Sequence, residues 1–143
     1  MTKVVVDVNV VISAAINPSG TPADLLRRLA GNSDYRFVAS LEIVKELRAA
    51  FTYPGVKKAL KLSEHEVAAL VVGIENLAET VDPETLKTGW SRDVKDDIYI
   101  QAAIAAKARF LVSGDKDLLV LGIVEGVQIL SPRQMLDVLL DQN

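Results

Sequence analysis

The sequence predicts a three-layer α/β/α domain, a central and mainly parallel sheet of four to five strands with helices on both faces. Short β-branched or apolar runs alternate with longer stretches of helical spacing, the order that winds a parallel sheet. Half of the 143 residues are hydrophobic and the mean hydropathy is positive, enough to bury one sizeable core. No repeat, low-complexity tract or linker interrupts the chain, so residues 1–143 are expected to form one domain. Aromatic residues are few, and that core must be aliphatic and alanine-rich.

Each element has a local reason. Val4–Val8 is a β-branched run broken only by Asp7, as expected of a strand buried on both faces. Asn17-Pro18-Ser19-Gly20 breaks the chain, and Thr21-Pro22-Ala23-Asp24 reads as an N-cap, a first-position proline and an acid. The helix it opens runs through Leu25, Leu26 and Leu29 to Gly31. Arg36–Ala39 is a short strand, and Ser40 caps a helix containing Ile43, Val44, Leu47, Ala50 and Phe51 that ends at Tyr53-Pro54-Gly55. Lys57–Leu62 forms one short helix, and the capping box Ser63-Glu64-His65-Glu66 opens another to about Leu77. Thr80-Val81 is a brief strand and Pro83–Arg92 a loop. Asp93 caps an alanine-rich helix to about Lys107. Arg109–Ser113 is a strand, Lys116–Leu121 a helical turn and Val127–Leu130 the last strand. Ser131-Pro132-Arg133-Gln134 then caps the C-terminal helix.

Composition narrows the chemistry. With no cysteine there are no disulfides and no thiolate ligands, and the single His65 excludes a histidine-built zinc centre. Any metal site is therefore built from oxygen ligands, which favours Mg²⁺ or Mn²⁺. The opening apolar stretch is short, carries Asp7 and Asn9 and lacks a basic leader, so a cytoplasmic protein is expected. No run is long and apolar enough to span a membrane. A net charge of -3 gives no overall attraction to nucleic acid, which leaves that task to local basic patches.

The acids carry the functional signal. Asp7 interrupts the first apolar run, Asp96 and Asp97 open the alanine-rich helix, and Asp115 follows the run Phe110–Ser113. A buried ionised carboxylate costs several kcal/mol unless compensated. In open α/β sheets ligands gather beyond the carboxyl ends of the strands, a rim that all four can reach. Bland readings exist for each. Asp7 can satisfy backbone amides, and Asp93, Asp96 and Asp97 can favour a helix dipole at roughly 0.3–1 kcal/mol each. Asp115 and Asp117 can be turn residues after Gly114, and Asn9 a local turn-former. Glu46 sits at the border of its helix's apolar face with no salt-bridge partner three or four residues away, and spacing alone favours a solvated charge.

Clustered carboxylates oppose one another. Two charges about 5 Å apart repel by roughly 3 kcal/mol at an effective dielectric near 20. A divalent cation converts that repulsion into coordination, acidifies water and polarises a phosphoryl oxygen. An acid-only cluster without His, Cys or an obvious Ser nucleophile thus points to metal-assisted phosphodiester hydrolysis. Lys57, Lys58 and Lys61, and separately Arg27 and Arg28, form small basic groups suited to phosphates, though solvated helix faces look the same. Trp90, in a loop, is a candidate base-stacking residue.

Four segments in order resemble the motifs of PIN-domain nucleases. They are Val4–Ala14 with its Asp7-Val8-Asn9, Ser40–Leu47 with Glu46, Asp93–Asp97 before the alanine-rich helix, and Leu111–Leu119 with Ser113-Gly114-Asp115. The match covers nearly the whole chain and is nearest to the toxin components of toxin–antitoxin pairs (VapC-like). The resemblance implies a Mg²⁺- or Mn²⁺-dependent endoribonuclease that acts on single-stranded RNA, often as a homodimer, and is silenced by a cognate antitoxin protein. It makes Asp7, Glu46, Asp96 and Asp115 the metal-binding catalytic acids. Asn9 would orient Asp7 or a ligand water, and Ser113 would support Asp115. Both Asp96 and Asp97 fit the third acid. Asp96 is preferred, because it lies on the first helical turn with Ala103 two turns later, leaving Asp97 as a supporting or second-metal ligand. Two alternatives remain. One is a non-catalytic PIN-like module that binds RNA or protein. The other is a haloacid-dehalogenase-like phosphatase, a poor fit because Asn9 replaces its second Asp and no motif lysine follows.

Overall fold

In the computed structural model, which describes residues 1–83 and 89–142, six strands form one sheet. They are β1 (Thr2–Val6), β2 (Tyr35–Ser40), β3 (Ala78–Val81), β4 (Phe110–Val112), β5 (Ile123–Val124) and β6 (Val127–Leu130), in the order β3-β2-β1-β4-β6-β5. Every pairing is parallel except β5 with β6. The expected strand count of four to five thus rises to six. The extra strand is only two residues long and pairs Val124 with Val127 across a turn at Glu125 (φ 46°) and Gly126 (φ 85°). Two successive positive φ angles mark a hairpin turn that Asn-Gly or Asp-Gly normally announces. Glu-Gly sent no such signal.

The helices are α1 (Val8–Ile16), α2 (Thr21–Ala30), α3 (Leu41–Ala50), α4 (Pro54–Leu60), α5 (Glu64–Asn76), α6 (Asp97–Ala106), α7 (Lys116–Leu119) and α8 (Pro132–Asp141). The sheet has a core on each face. Val5 and Leu111 point into one with Leu47, Tyr99, Ala102 and Ala103. Val4 and Phe110 point into the other with Leu25, Leu29, Met135 and Leu139. Neighbouring residues of one strand feed opposite cores, as the two-residue period of a pleated strand requires, and the three layers follow. No helix among the described residues is long and apolar enough to cross a membrane.

The largest departure from expectation lies after β1. The strand stops at Val6, and Val8, read as its end, begins α1. Asp7 is the N-cap, with an extended ψ of 135° and a side chain that accepts from the Asn9 amide. The β-branched residues beyond it lose only a few tenths of a kcal/mol each in helix propensity. Burial of Val8 and Val10 outweighs that cost. Elsewhere the shifts are small. Gly20, not Thr21, is the N-cap of α2, and α4 starts at Pro54 rather than Lys57, using proline's suitability for a first helical turn. The boxes at Ser63 and Ser131 are both formed. Of the loop expected over Pro83–Arg92, residues 84–88 lie outside the described residues.

Candidate active site

The sheet topology brings the acids together. From β1 the chain moves outward through β2 and β3, then returns to β4 on β1's other side. The carboxyl ends of β1 and β4 therefore form a switch point, where open α/β sheets bind ligands. Val6 and Val112 are register partners, so the next residue of each strand, Asp7 and Ser113, leaves the same edge. Both are buried. Ser113 Oγ donates to Asp7 Oδ2 at 2.8 Å and accepts from the Asp115 amide at 3.0 Å. Asp7 Oδ1 accepts from the Asn9 amide at 3.0 Å. One serine hydroxyl thus fixes two of the four acids, a larger role than the support of Asp115 expected of it. Asn9 acts on Asp7 through its backbone, while its side chain is exposed. Asp115 caps α7 through the Asp117 amide at 2.8 Å, which gives Asp117 a structural part.

Asp96 completes this group from the N-terminal end of α6. Asp93 opens the approach by accepting from the Lys95 amide, and a single 3₁₀ turn (Val94–Asp96) leads into the helix. Asp96 Oδ2 is buried without a hydrogen-bond partner. Burial, then hydrogen bonding and charge from Asp115, then the charges of Asp93 and Asp7, push the Asp96 carboxyl up to about 7. That is the response of a carboxyl withdrawn from water and then crowded by its own kind.

Asp97 has other partners. Its Oδ2 accepts from the Gly89 amide at 2.6 Å and its Oδ1 from the Ser91 amide at 3.0 Å. Expected as a supporting or second-metal ligand, Asp97 has both oxygens accepting from backbone amides. Both donors, Gly89 and Ser91, lie just before the helix in the chain.

Glu46 reaches the site by a route that sequence reasoning missed. It lies exposed on α3, which Ser40 caps at the end of β2. Its Oε2 accepts from the Tyr99 hydroxyl at 3.2 Å, and the same hydroxyl accepts from the Val8 amide at 3.3 Å. Burial foremost, with the charges of Asp7 and Glu46, drives the Tyr99 phenol far above its ordinary value, so it remains a donor. In the sequence Tyr99 sits inside Ile98-Tyr99-Ile100 and reads as core. The only available hint was that a buried tyrosine hydroxyl requires a partner.

The donor set suits a hard divalent cation, being carboxylates alone, with one buried oxygen unclaimed. Among the described residues, no three acidic or histidine side chains are drawn closely enough to enclose an ion as they stand. The acids share one edge without closing on a point.

The PIN domain family profile matches residues 3–117. The chain belongs to the PIN domain family. It is 32% identical over 117 residues to the uncharacterized protein MJ1680 of Methanocaldococcus jannaschii, an alignment covering 82% of this chain and 73% of that protein. Its fold is similar to a chain in the crystal structure of VapBC2 from Rickettsia felis bound to a DNA fragment from their promoter. The TM-score is 0.59 at 16% identity, over 91% of this chain and 98% of that one. PIN domains are in general nucleases, and the chemistry of an acid-lined sheet edge is in keeping with that. In this PIN domain the expected basic groups are partly engaged. Arg28 pairs with Asp24 at 3.0 Å, Arg27 donates to the Pro18 carbonyl and Lys57 lies 3.8 Å from Glu64. Trp90 is half-buried against the core. A separate cleft of about 340 Å³ is lined mainly by aliphatic side chains of α1, α2, α3 and α5 and by none of the four acids.

Proposed function

We propose that this PIN domain protein is a Mg²⁺- or Mn²⁺-dependent endoribonuclease, the toxin of a toxin–antitoxin pair. The observation that carries the reading is the unpartnered, buried Asp96 oxygen beside Asp7 and Asp115 at the sheet's switch point. Asp7, Glu46, Asp96 and Asp115 would hold the cation. When bound, it supplies charge against a phosphoryl oxygen and acidity for an attacking water. The chain's own contribution is placement. Ser113 and the Asn9 amide orient Asp7, Ser113 also fixes the backbone of Asp115, and Tyr99 meets Glu46. The substrate is single-stranded RNA, cut by in-line attack of water to leave 5′-phosphate and 3′-hydroxyl ends. The partner is a cognate antitoxin protein, and the apolar cleft offers a face for an apolar segment of it. We place the protein in the cytoplasm as a homodimer.

The test is cleavage of single-stranded and structured RNAs with Mg²⁺, Mn²⁺ or chelator, comparing wild type with Asp7→Asn. Cleavage of the wild type should require the cation, and Asp7→Asn should lose it while its circular dichroism is unchanged. Full-rate cleavage in chelator, or by a folded Asp7→Asn protein, would sink the assignment.

A further inference from the structure

Glu46 differs from the other acids in how it is held. Asp7, Asp96 and Asp115 all sit at or within three residues of a strand end or helix start, where backbone fixes the side chain closely. Glu46 is midway along the exposed side of α3, on a long flexible stem. Its recorded contact is the hydroxyl of Tyr99, 53 residues away in sequence.

That hydroxyl is itself anchored. The Tyr99 ring is 2% exposed, locked in the core on α6. The polarity of its two bonds is forced, since an amide only donates and a carboxylate only accepts. Val8 N–H points at the phenol oxygen, and the phenol proton points at Glu46 Oε2. The first amides of a helix have no partner within it. In α1 the Asn9 amide is satisfied by the Asp7 carboxylate and the Val8 amide by Tyr99. Asp7 and Glu46 are therefore both tied to the first turn of α1, one directly and one through the phenol.

We propose that Tyr99 is a positioning residue that sets the Glu46 carboxylate against the N-terminus of α1 in register with Asp7. The inference rests on the metal-dependent reading above and assigns Tyr99 a part in it. Outer partners that orient a ligating carboxylate typically account for 10–100-fold in metal affinity or activity.

The experiment is Mn²⁺ titration by calorimetry on wild type, Tyr99→Phe, Glu46→Gln and the double variant. Tyr99→Phe should weaken Mn²⁺ binding by about tenfold. In the Glu46→Gln background the same change should add less than about twofold, because the carboxylate it serves is gone. Unchanged affinity in Tyr99→Phe overturns the proposal, as does an equal loss in both backgrounds, which would put the effect in α1 instead. Should Tyr99→Phe fail to fold, fluorotyrosine-labelled protein supplies the second measurement. The ¹⁹F resonance of Tyr99, assigned by Tyr35→Phe and Tyr53→Phe, must move on Glu46→Gln, and a fixed resonance overturns the contact. Wild type that takes up no Mn²⁺ brings down the metal-dependent reading together with the proposal. Uptake without a Tyr99 effect removes the positioning role alone.

Discussion

On one side of the α6 N-terminus, the Asp97 carboxylate holds the amides of Gly89 and Ser91, with both oxygens used. On the other side, Asp96 faces Asp115, Asp93 and Asp7 with a buried oxygen unclaimed. The two residues are identical, adjacent and equally eligible for the helix dipole. What separates them is the supply of N–H groups. The amides of Gly89 and Ser91 provide donors to Asp97, while the residues after β1 and β4 provide more acid beside Asp96. Two neighbouring carboxylates thereby differ in how their oxygens are satisfied, and under the proposed function that difference divides stability from cation binding. The Asp97 side has matched hydrogen bonds, and the Asp96 side is short of positive charge.

Removing Asp97 should cost stability rather than cation affinity. Asp97→Ala leaves a buried Ser91 amide and the Gly89 amide without their acceptor. The expected loss is about 3 kcal/mol, a fall in Tm of roughly 10 °C for a domain of this size. Calorimetric Mn²⁺ affinity should change by less than about threefold, because both Asp97 oxygens are already held by backbone amides. A large loss of affinity with little loss in Tm would invert the assignment and restore Asp97 as a ligand.

Asp96 should show itself in pH dependence. Its folded-state value of about 7 lies above its ordinary 3.8, so between those values the folded protein binds more protons than the unfolded chain. Stability should fall as pH rises through that window, and level off above it. The carboxyl is only partly enclosed, so the effect is smaller than that of Asp97→Ala. Thermal melts of chelated protein between pH 4 and pH 8 measure it. Asp96→Asn should flatten the slope, and Mn²⁺ should reverse it by favouring the charged form. A slope that survives Asp96→Asn would assign it to another group.

The fold was legible because its signals are local. The boxes at Ser63 and Ser131, the cap at Ser40 and the apolar runs of β1, β4 and β6 each announce themselves within a few residues. Helix α1 was not legible, because its β-branched residues read as strand and only the tertiary burial of Val8 and Val10 makes them helical. The acids were visible as misplaced charges, and strand order explains why Asp7 and Asp115 converge. Only helical register favoured Asp96 over Asp97, because the amides that claim Asp97 come from residues before the helix. Tyr99 was harder still, since its two partners lie 91 and 53 residues away.

The smallest effect probes the loop side alone. Gly89 has φ +94°, a region that L side chains enter only with strain, while an added Cβ meets nothing within 4 Å. Gly89→Ala therefore isolates the backbone cost, about 1 kcal/mol. Part of that cost arises because Asp97 Oδ2 holds the Gly89 amide in place at 2.6 Å and prevents the loop from relaxing. Adding Asp97→Ala releases that restraint, so the double variant should lose less than the sum of the single losses. Denaturant midpoints for the four proteins give the coupling directly. Strict additivity would mean that the loop keeps its conformation without Asp97, and the carboxylate would then be following the loop rather than holding it.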